Sequence, residues 1–358
     1  MSSSISSSER GGQDLARSGV AGWSGPWRRF AMTFMVTSLG GLVAIVVLMF
    51  LIDPFDTGRS PVSRSPGVPA PDVDNAATSR LENASRGRDP AFEAAIIGNS
   101  RIQALEPETL SQATGIPFVS LVIQASRSRE QLAVLDWFMR NRETAPKAII
   151  IGLDMPWCDD RVSMSPTDPF PFWLYDRSRV AYLEGLLRYS VLAEYVPRYL
   201  SYLFGLRDRA RPDGYWDYEP VYRKLGYDSP ERRQKLQGPD AEVEINLTGR
   251  FGAAEALAER LANLPPETAV FLVRPPVYVT GLGAPGSDQA KTDAACRAIH
   301  AALAAGRANT HLIDWRVDRP ETRNPDGFID HTHYRKTVAN LIAAEVAAIL
   351  NKARVPGT

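Results

Sequence analysis

Short apolar runs alternate with longer segments of helical composition from about residue 92 to the end of the chain. The runs lie at 95–97, 119–123, 148–153, 269–273 and 311–313. Runs this short and this apolar are typical of strands buried on both faces of a parallel sheet. The helical segments lie at 104–114, 129–141, 253–263, 288–305 and 335–352. The alternation predicts an α/β fold, with a doubly wound parallel sheet covered by helices.

A segment rich in Tyr, Trp and Phe interrupts this alternation over 158–250. Within it, Val180, Leu183, Leu187 and Val191 recur at the spacing of an amphipathic helix, so a helical insertion is predicted. Its aromatic side chains form a small core of their own, or some of them line a groove on which a sugar chain stacks. A third alternative places the helix on a membrane surface, although the sequence lacks the clear stripe of basic residues that this requires.

The amino-terminal part of the chain carries a membrane signal. Residues 31–52 contain no charged side chain, and about 20 apolar residues suffice to cross a bilayer. A secretory signal has an apolar core of only about 7–15 residues and a small-residue cleavage site, so an uncleaved anchor is favoured. Arg28 and Arg29 precede the run and Asp53 follows it, which predicts that residues 1–30 form a disordered tail in the cytoplasm.

The stretch that follows, residues 53–90, is rich in Pro, Ser and charged residues and is predicted to be a linker. Across the whole chain, 41 basic residues balance 41 acidic ones, so no basic face for nucleic-acid binding is expected. With 44% hydrophobic residues in 358, the chain can hold two average domains or one elaborated α/β domain. Cys158 and Cys296 can form a disulfide in an oxidising compartment, but the sequence does not determine whether they pair.

Candidate chemistry lies at the ends of the first and last predicted strands. Ser100 follows the first strand, where α/β sheets place their ligands and where backbone N–H groups can stabilise an oxyanion. Asp330 and His333 precede the final helix, at a spacing that lets the carboxylate orient the imidazole. These three residues are therefore candidates for a nucleophile, a general base and its orienting acid. The alternatives are a serine that caps a helix, a surface histidine and an aspartate cap.

The blocks Gly98-Asn99-Ser100-Arg101 and Asp330-x-x-His333 resemble those of the SGNH/GDSL hydrolase superfamily. More narrowly, the chain resembles its membrane-anchored bacterial branch, related to alginate-type polysaccharide O-acetylation proteins. The resemblance covers roughly residues 92–350 and implies an SGNH-like domain over 91–352, with flavodoxin-like strand order, in the periplasm and anchored in the inner membrane. It also implies O-acetyltransferase or carbohydrate esterase chemistry on an envelope or exported polysaccharide, without a cofactor. A membrane protein that donates the acyl group is a further partner compatible with this resemblance.

The chain departs from that family at two oxyanion donors. The family supplies a Gly after the second strand and an Asn after the third, whereas the chain has 122–126 (VIQAS) and 152–157 (GLDMPW) there. This departure favours an alternative, a non-catalytic polysaccharide-binding or assembly subunit that keeps the fold. In the catalytic interpretation, the amide of Gln124 is a candidate donor.

Four further residues complete the predicted substrate-binding set with Gln124. Asn99 and Arg101 flank the serine, and Arg101 either meets an anionic group of the substrate or pairs with a nearby carboxylate. Asp154 and Trp157 follow the third strand and are expected on the rim of the same cleft.

A metal site is not predicted. His331, His333, Asp326 and Asp330 lie in one loop, and zinc sites usually take three or four ligands held on rigid elements.

Overall fold

The computed structural model describes residues 25–61, 79–167, 169–188, 191, 193, 196–206, 211–240 and 245–354. Its centre is a sheet of five parallel strands, β1 (Ala94–Ile97), β2 (Phe118–Ser120), β3 (Ala148–Gly152), β4 (Ala269–Arg274) and β5 (Thr310–Asp314). The strand order is β2-β1-β3-β4-β5, the flavodoxin-like order of doubly wound sheets. The order reverses next to β1, which pairs Ala95 with both Val119 and Ile149.

The helices of the described residues are α1 (Gly25–Ile52), α2 (Ser79–Arg88), α3 (Pro107–Thr114), α4 (Ser128–Arg140), α5 (Phe172–Tyr175), α6 (Arg179–Leu186), α7 (Val196–Leu203), α8 (Glu219–Lys224), α9 (Pro230–Lys235), α10 (Gly252–Ala262), α11 (Asp288–Ala305) and α12 (Lys336–Arg354). Helices α3, α4, α10, α11 and α12 form the layers on the two faces of the sheet. On one face α3 and α12 pack together over a core that includes Ile96, Ile150, Phe271 and Ile342. On the other, α10 packs against α4 and α11. Because both faces are covered, β1, β3 and β4 are buried along their whole length, and the predicted α/β class is confirmed.

The second strand is shorter than the apolar run that predicted it. Pairing ends at Ser120, and residues 121–123 continue as a buried loop into a turn at Gln124 and Ala125. The backbone N–H of Ile123 still donates to the carbonyl of Gly98 at 3.0 Å. The loop therefore runs beside the turn that carries Ser100.

Helices α5 to α9 occupy the insertion between β3 and α10. The ring of Phe170 contacts those of Phe172 and Tyr175, and the ring of Trp173 contacts that of Tyr182. These five residues belong to the first half of the insertion. They form a small aromatic core, as one of the alternatives predicted. The second half of the insertion, which includes α8, lies next to the candidate site.

The last part of the predicted linker 53–90 is the helix α2, and most of its charged side chains are buried. Arg80 donates to the carbonyl of Gln124 at 2.9 Å, and Asn83 donates to that of Val122 at 3.2 Å. Charged and amide groups tolerate burial here because they satisfy loop carbonyls that would otherwise lack donors. The structure thus differs from the sequence prediction over α2, while residues 62–78 of the linker lie outside the described part.

The apolar segment predicted at 31–52 lies within α1, which starts six residues earlier, at Gly25. The helix has 28 residues, a mean hydropathy of 2.6 over its most apolar window and almost no buried residues. At 1.5 Å per residue it is about 42 Å long, more than the hydrocarbon thickness of a bilayer. Among the described helices, α1 is the one long and apolar enough to cross a membrane. The predicted tail, apart from residues 25–30, lies outside the described residues.

A disulfide joins Cys158 and Cys296, whose Cα atoms are 5.5 Å apart. It fastens the 3₁₀ turn Met155–Cys158, which follows β3, to α11. The cross-link closes a loop of 138 residues that contains the whole insertion.

Candidate active site

Ser100 lies in a tight turn that leaves the carboxyl end of β1. The turn needs glycine at position 98, because a Cβ there would lie 2.6 Å from Cγ2 of Ile102. The N–H groups of Ile102 and Gln103 donate back to the carbonyls of Asn99 and Ser100, which closes the turn. Since α3 begins only at Pro107 and Glu106 is its N-cap, the alternative of Ser100 as a helix cap does not apply to α3.

The hydroxyl of Ser100 meets His333 at the switch point of the sheet. Its Oγ is 2.9 Å from Nε2 of His333, across 233 residues of sequence. On the far side of the ring, Nδ1 lies 2.8 Å from Oδ2 and 2.9 Å from Oδ1 of Asp330. With Nδ1–H donating to the carboxylate, Nε2 is left as an acceptor for the serine proton. The three predicted catalytic residues thus form one hydrogen-bonded chain.

Asp330 is held as a carboxylate. Burial acts to raise its pKa, but the hydrogen bond and charge of His333 and the backbone N–H groups of Thr332 and His333 outweigh burial and lower it. Those two N–H groups donate to Oδ1 at 2.9 Å and 2.8 Å. The carboxylate is therefore fixed by its own loop and in turn fixes the ring of His333.

In the serine turn and in the loop beside it, the described chain has backbone N–H groups without a hydrogen-bond acceptor. Within the described part of the chain, the N–H of Ser100 and that of Ala125 have no hydrogen-bond acceptor. Ala125 has φ = +53°, a conformation that favours glycine, and it occupies the loop in which the sequence lacked the expected Gly. The loop is bonded to the serine turn, since Ser126 Oγ lies 3.3 Å from the carbonyl of Gly98. These two N–H groups are candidate donors to an oxyanion.

Sequence reasoning missed Ala125. A left-handed alanine carries no sequence signal, since the usual marker of that conformation is Gly or Asn. The predicted donor in this loop, Gln124, is engaged elsewhere, because its Nε2 donates to Oε1 of Gln103 at 2.9 Å.

Asp154 holds the residues on either side of the serine. Its Oδ2 accepts from the side-chain amide of Asn99 at 2.8 Å, and its Oδ1 forms an ion pair with Arg101. Burial acts to raise the pKa of Asp154, but the charges of Arg101 and Arg316 outweigh burial and lower it. Only 3% of Asp154 is exposed, whereas 22% of the Arg101 side chain is. Asp154 therefore lies beneath the serine turn, whereas Arg101 and Gln124 are the partly exposed members of the predicted substrate set.

Trp157 lies away from the cleft surface. It is 1% exposed, and its indole N–H donates to Oε1 of Gln131 at 2.9 Å. The 3₁₀ turn after β3 folds it inward, so it anchors that turn rather than the rim on which the sequence placed it.

Aromatic side chains of α8 and its flanks border His333. The ring of Tyr222 lies 5.9 Å from the imidazole, and that of Tyr218 lies 6.2 Å from it, edge to face. The hydroxyl of Tyr218 donates to the carbonyl of Tyr334 at 2.7 Å, which ties the insertion to the histidine loop. Burial first, and the charge of Asp330 second, raise the pKa of Tyr222 to about 12, so its half-buried phenol stays neutral. Tyr218 and Tyr222 are thus aromatic residues of the insertion that lie beside the candidate catalytic histidine.

Among the described residues, the one cluster of metal-ligating side chains within 4.8 Å of one another is Cys158, Cys296 and His300. All three are buried, and the two sulfurs are joined in the disulfide. Of the loop residues weighed as ligands, Asp330 and His333 bond to each other, and His331 Nε2–H donates to the carbonyl of Gly238 at 2.9 Å.

No protein-family model matches the chain. No curated protein matches it either.

Proposed function

We propose that the protein is a membrane-anchored, SGNH-like enzyme of serine-dependent acyl-ester chemistry. The observation that carries this proposal is the chain of contacts from Ser100 through His333 to Asp330, with 2.9 Å and 2.8 Å between the bonded atoms. A nucleophile, a base in reach of its proton and a carboxylate that orients the base are the parts that acyl transfer requires.

In the proposed mechanism, Nε2 of His333 takes the proton of Ser100 as Oγ attacks the acyl carbonyl. Asp330 stabilises the imidazolium that forms, and the N–H groups of Ser100 and Ala125 donate to the oxyanion. His333 then gives the proton to the departing alkoxide, which leaves an acyl group on Oγ. An incoming hydroxyl, from a sugar or from water, loses its proton to His333 and takes the acyl group, and Ser100 recovers its hydrogen.

The proposed acceptor is a polysaccharide of the bacterial envelope or an exported one, which makes the protein an O-acetyltransferase or a carbohydrate esterase. The half-buried ring of Tyr222 beside His333 supports this acceptor, since aromatic faces suit sugar rings. We place α1 in the inner membrane, with the tail in the cytoplasm and the domain in the periplasm, because arginines precede the helix and Asp53 follows it. The disulfide between Cys158 and Cys296 fits that oxidising compartment.

A second candidate is a non-catalytic polysaccharide-binding or assembly subunit. Asp154 favours this candidate, because the hydrolases that the sequence resembles have an asparagine donor at this position. Both carboxylate oxygens of Asp154 are bonded to Asn99 and Arg101. A site without that donor stabilises an oxyanion less well.

Turnover of a small activated acetyl ester by the full-length chain in detergent micelles separates the two candidates. We expect Ser100→Ala and His333→Ala to lower turnover by about 10³-fold or more. The matched control is His331→Ala, which removes the neighbouring histidine of the same loop and is expected to keep turnover. If the folded wild-type protein turns the ester over no faster than Ser100→Ala does, the non-catalytic binding subunit is favoured.

A further inference from the structure

A buried glutamine of α4, Gln131, joins the turn after β3 to the loop that carries Ala125. Its Oε1 accepts the indole N–H of Trp157 at 2.9 Å. Its Nε2 lies 3.3 Å from the carbonyl oxygen and 3.3 Å from Oγ of Ser126. An indole N–H can only donate, so Oε1 must face Trp157, and both N–H groups of the amide are left for Ser126. Gln131 therefore has partners on both sides.

Ser126 is bonded in turn to the two residues that precede the candidate nucleophile. Its Oγ donates to the carbonyl of Gly98 at 3.3 Å, and its own carbonyl accepts from the side-chain amide of Asn99 at 3.5 Å. The backbone N–H of Ser126 donates to the carbonyl of Ile123 at 3.1 Å, which closes the loop around Ala125. The glutamine thus holds the residue on which this loop and the serine turn meet.

One short turn after β3, Met155–Cys158, supports both sides of the nucleophile. Trp157 in this turn holds the loop of Ala125 through Gln131. Asp154, which directly precedes the turn, holds the two residues that flank the serine. The disulfide fastens the same turn to α11.

Burial keeps Gln131 away from any substrate. Its exposed fraction is 2%, and those of Trp157 and Ser126 are 1% each. Gln131 can therefore affect a reaction only through the groups that it holds. Ala125 has a φ of +53°, and an L-residue keeps such a conformation only where its surroundings fix it. The hydrogen bonds at Ser126, the next residue, provide that support.

We propose that Gln131 is a positioning residue for the reaction, which fixes the loop whose Ala125 N–H donates to the oxyanion. This inference rests on the proposed function, in which that N–H and the N–H of Ser100 stabilise the oxyanion. Such donors act only when they are aligned with the place that the oxygen occupies in the transition state. Loss of the amide of Gln131 therefore lowers the rate of the chemical step without weakening the binding of the ester.

Two substitutions remove the hydrogen bonds of this glutamine. Gln131→Met keeps a long, unbranched side chain without the amide, and Trp157→Phe removes the indole N–H. The matched control is Trp315→Phe, which removes an equally long indole bond, to Oε2 of Glu345 at 2.9 Å. Trp315 is as deeply buried, with an exposed fraction of 3%.

Turnover is measured on the full-length proteins in detergent micelles, with a small activated acetyl ester and with its thiono analogue, in which sulfur replaces the carbonyl oxygen. Sulfur is a weak hydrogen-bond acceptor, so the preference for the oxygen ester reports on the oxyanion donors.

We expect Gln131→Met to lower kcat for the oxygen ester by about 10- to 100-fold with little change in KM, and to reduce the preference for the oxygen ester severalfold. Trp157→Phe is expected to act in the same direction, and Trp315→Phe to leave kcat and the preference unchanged. Equal losses on the two esters would indicate a purely structural role of Gln131 and overturn the inference.

Amide hydrogen exchange separates this inference from the proposed function. The peptide that covers 121–127 contains the N–H groups of Ile123 and Ser126, both bonded to backbone carbonyls. We expect Gln131→Met and Trp157→Phe, but not Trp315→Phe, to speed exchange in this peptide severalfold. If the wild type does not turn the ester over, faster exchange would still support the positioning of the loop, and only the proposed chemistry would fail. Unchanged exchange in Gln131→Met would overturn the inference with or without turnover.

Discussion

Asp154 forms an ion pair with Arg101, the residue that directly follows Ser100. The carboxylate is buried and also accepts a hydrogen bond from Asn99, which directly precedes the serine. One side chain at the end of β3 thus sets both neighbours of the nucleophile at the end of β1. This relationship gives the buried aspartate a structural role in the turn that carries Ser100.

Replacing this carboxylate tests its supporting role. Asp154→Asn keeps an oxygen for Asn99 but removes the charge that holds Arg101 and lies near the buried Arg316. We expect ester turnover to fall by about 10- to 100-fold because the serine turn loses its fixed geometry. We expect the free energy of unfolding to fall by about 1–3 kcal/mol.

The matched control for that variant is Asp159→Asn, which breaks the partly exposed ion pair with Arg127 and is expected to leave turnover unchanged. Turnover of Asp154→Asn equal to or above the wild type would contradict the supporting role. That result would instead indicate that an asparagine amide at position 154 serves turnover at least as well as the carboxylate, for example as a donor to the oxyanion.

Ala125 gives a second prediction, on stability. Its positive φ costs an L-residue about 1–2 kcal/mol, so Ala125→Gly is expected to raise the free energy of unfolding by about 1 kcal/mol and to keep turnover. The control is Ala256→Gly in α10, which is expected to destabilise the protein by a similar amount because glycine disfavours helices. Chemical denaturation of both variants is the measurement. Destabilisation by both would show that the Ala125 turn is not strained.

His300 gives a third prediction, on the pH dependence of stability. Burial first, and the charges of Arg274 and Arg316 second, lower its pKa to about 3. The unfolded chain binds a proton at this residue below about pH 6.5, whereas the native protein does so only near pH 3. The unfolded form therefore binds more protons in this window, and stability is lost as the pH falls through it.

Denaturation curves of the wild type and of His300→Gln between pH 7 and pH 4 measure this effect. We expect the wild type to lose about 1.4 kcal/mol per pH unit more than the variant below pH 6.5, and the two slopes to agree above it. Only the slopes are compared, so a lower overall stability of the variant does not affect the result. Equal slopes below pH 6 would refute the neutral, buried state of His300.

The sheet and the meeting of Ser100 with His333 could be predicted from the sequence for one physical reason. Strands covered on both faces must be apolar throughout, so they stand out as short runs, and parallel strands bring their carboxyl ends to one edge. The proposed roles of both residues remain predictions. Their contact at 2.9 Å lies at the carboxyl-end edge of the sheet, where the apolar runs that predict the strands place both residues.

Other features depend on contacts that no local pattern encodes. The composition of α2 is typical of a linker. Its polar groups can be buried because they are paired with the carbonyls of Val122 and Gln124, about 40 residues away. Ala125 adopts a glycine conformation without a glycine. The sequence predicts Trp157 on the cleft rim, whereas the structure buries it, with its indole N–H bonded to Gln131. Whether a tryptophan after a strand turns inward depends on such a distant partner.

If Ser100 is a nucleophile activated by His333, reaction with an acyl ester leaves a covalent group on its Oγ, which changes the mass of the protein. The full-length chain is mixed with a small activated acetyl ester, quenched in acid and digested, and the peptide that contains Ser100 is analysed by mass spectrometry. We expect one acetyl group on Ser100, absent in Ser100→Ala and His333→Ala and retained in His331→Ala. An unlabelled Ser100 in a folded protein, or equal labelling in His333→Ala, would contradict it.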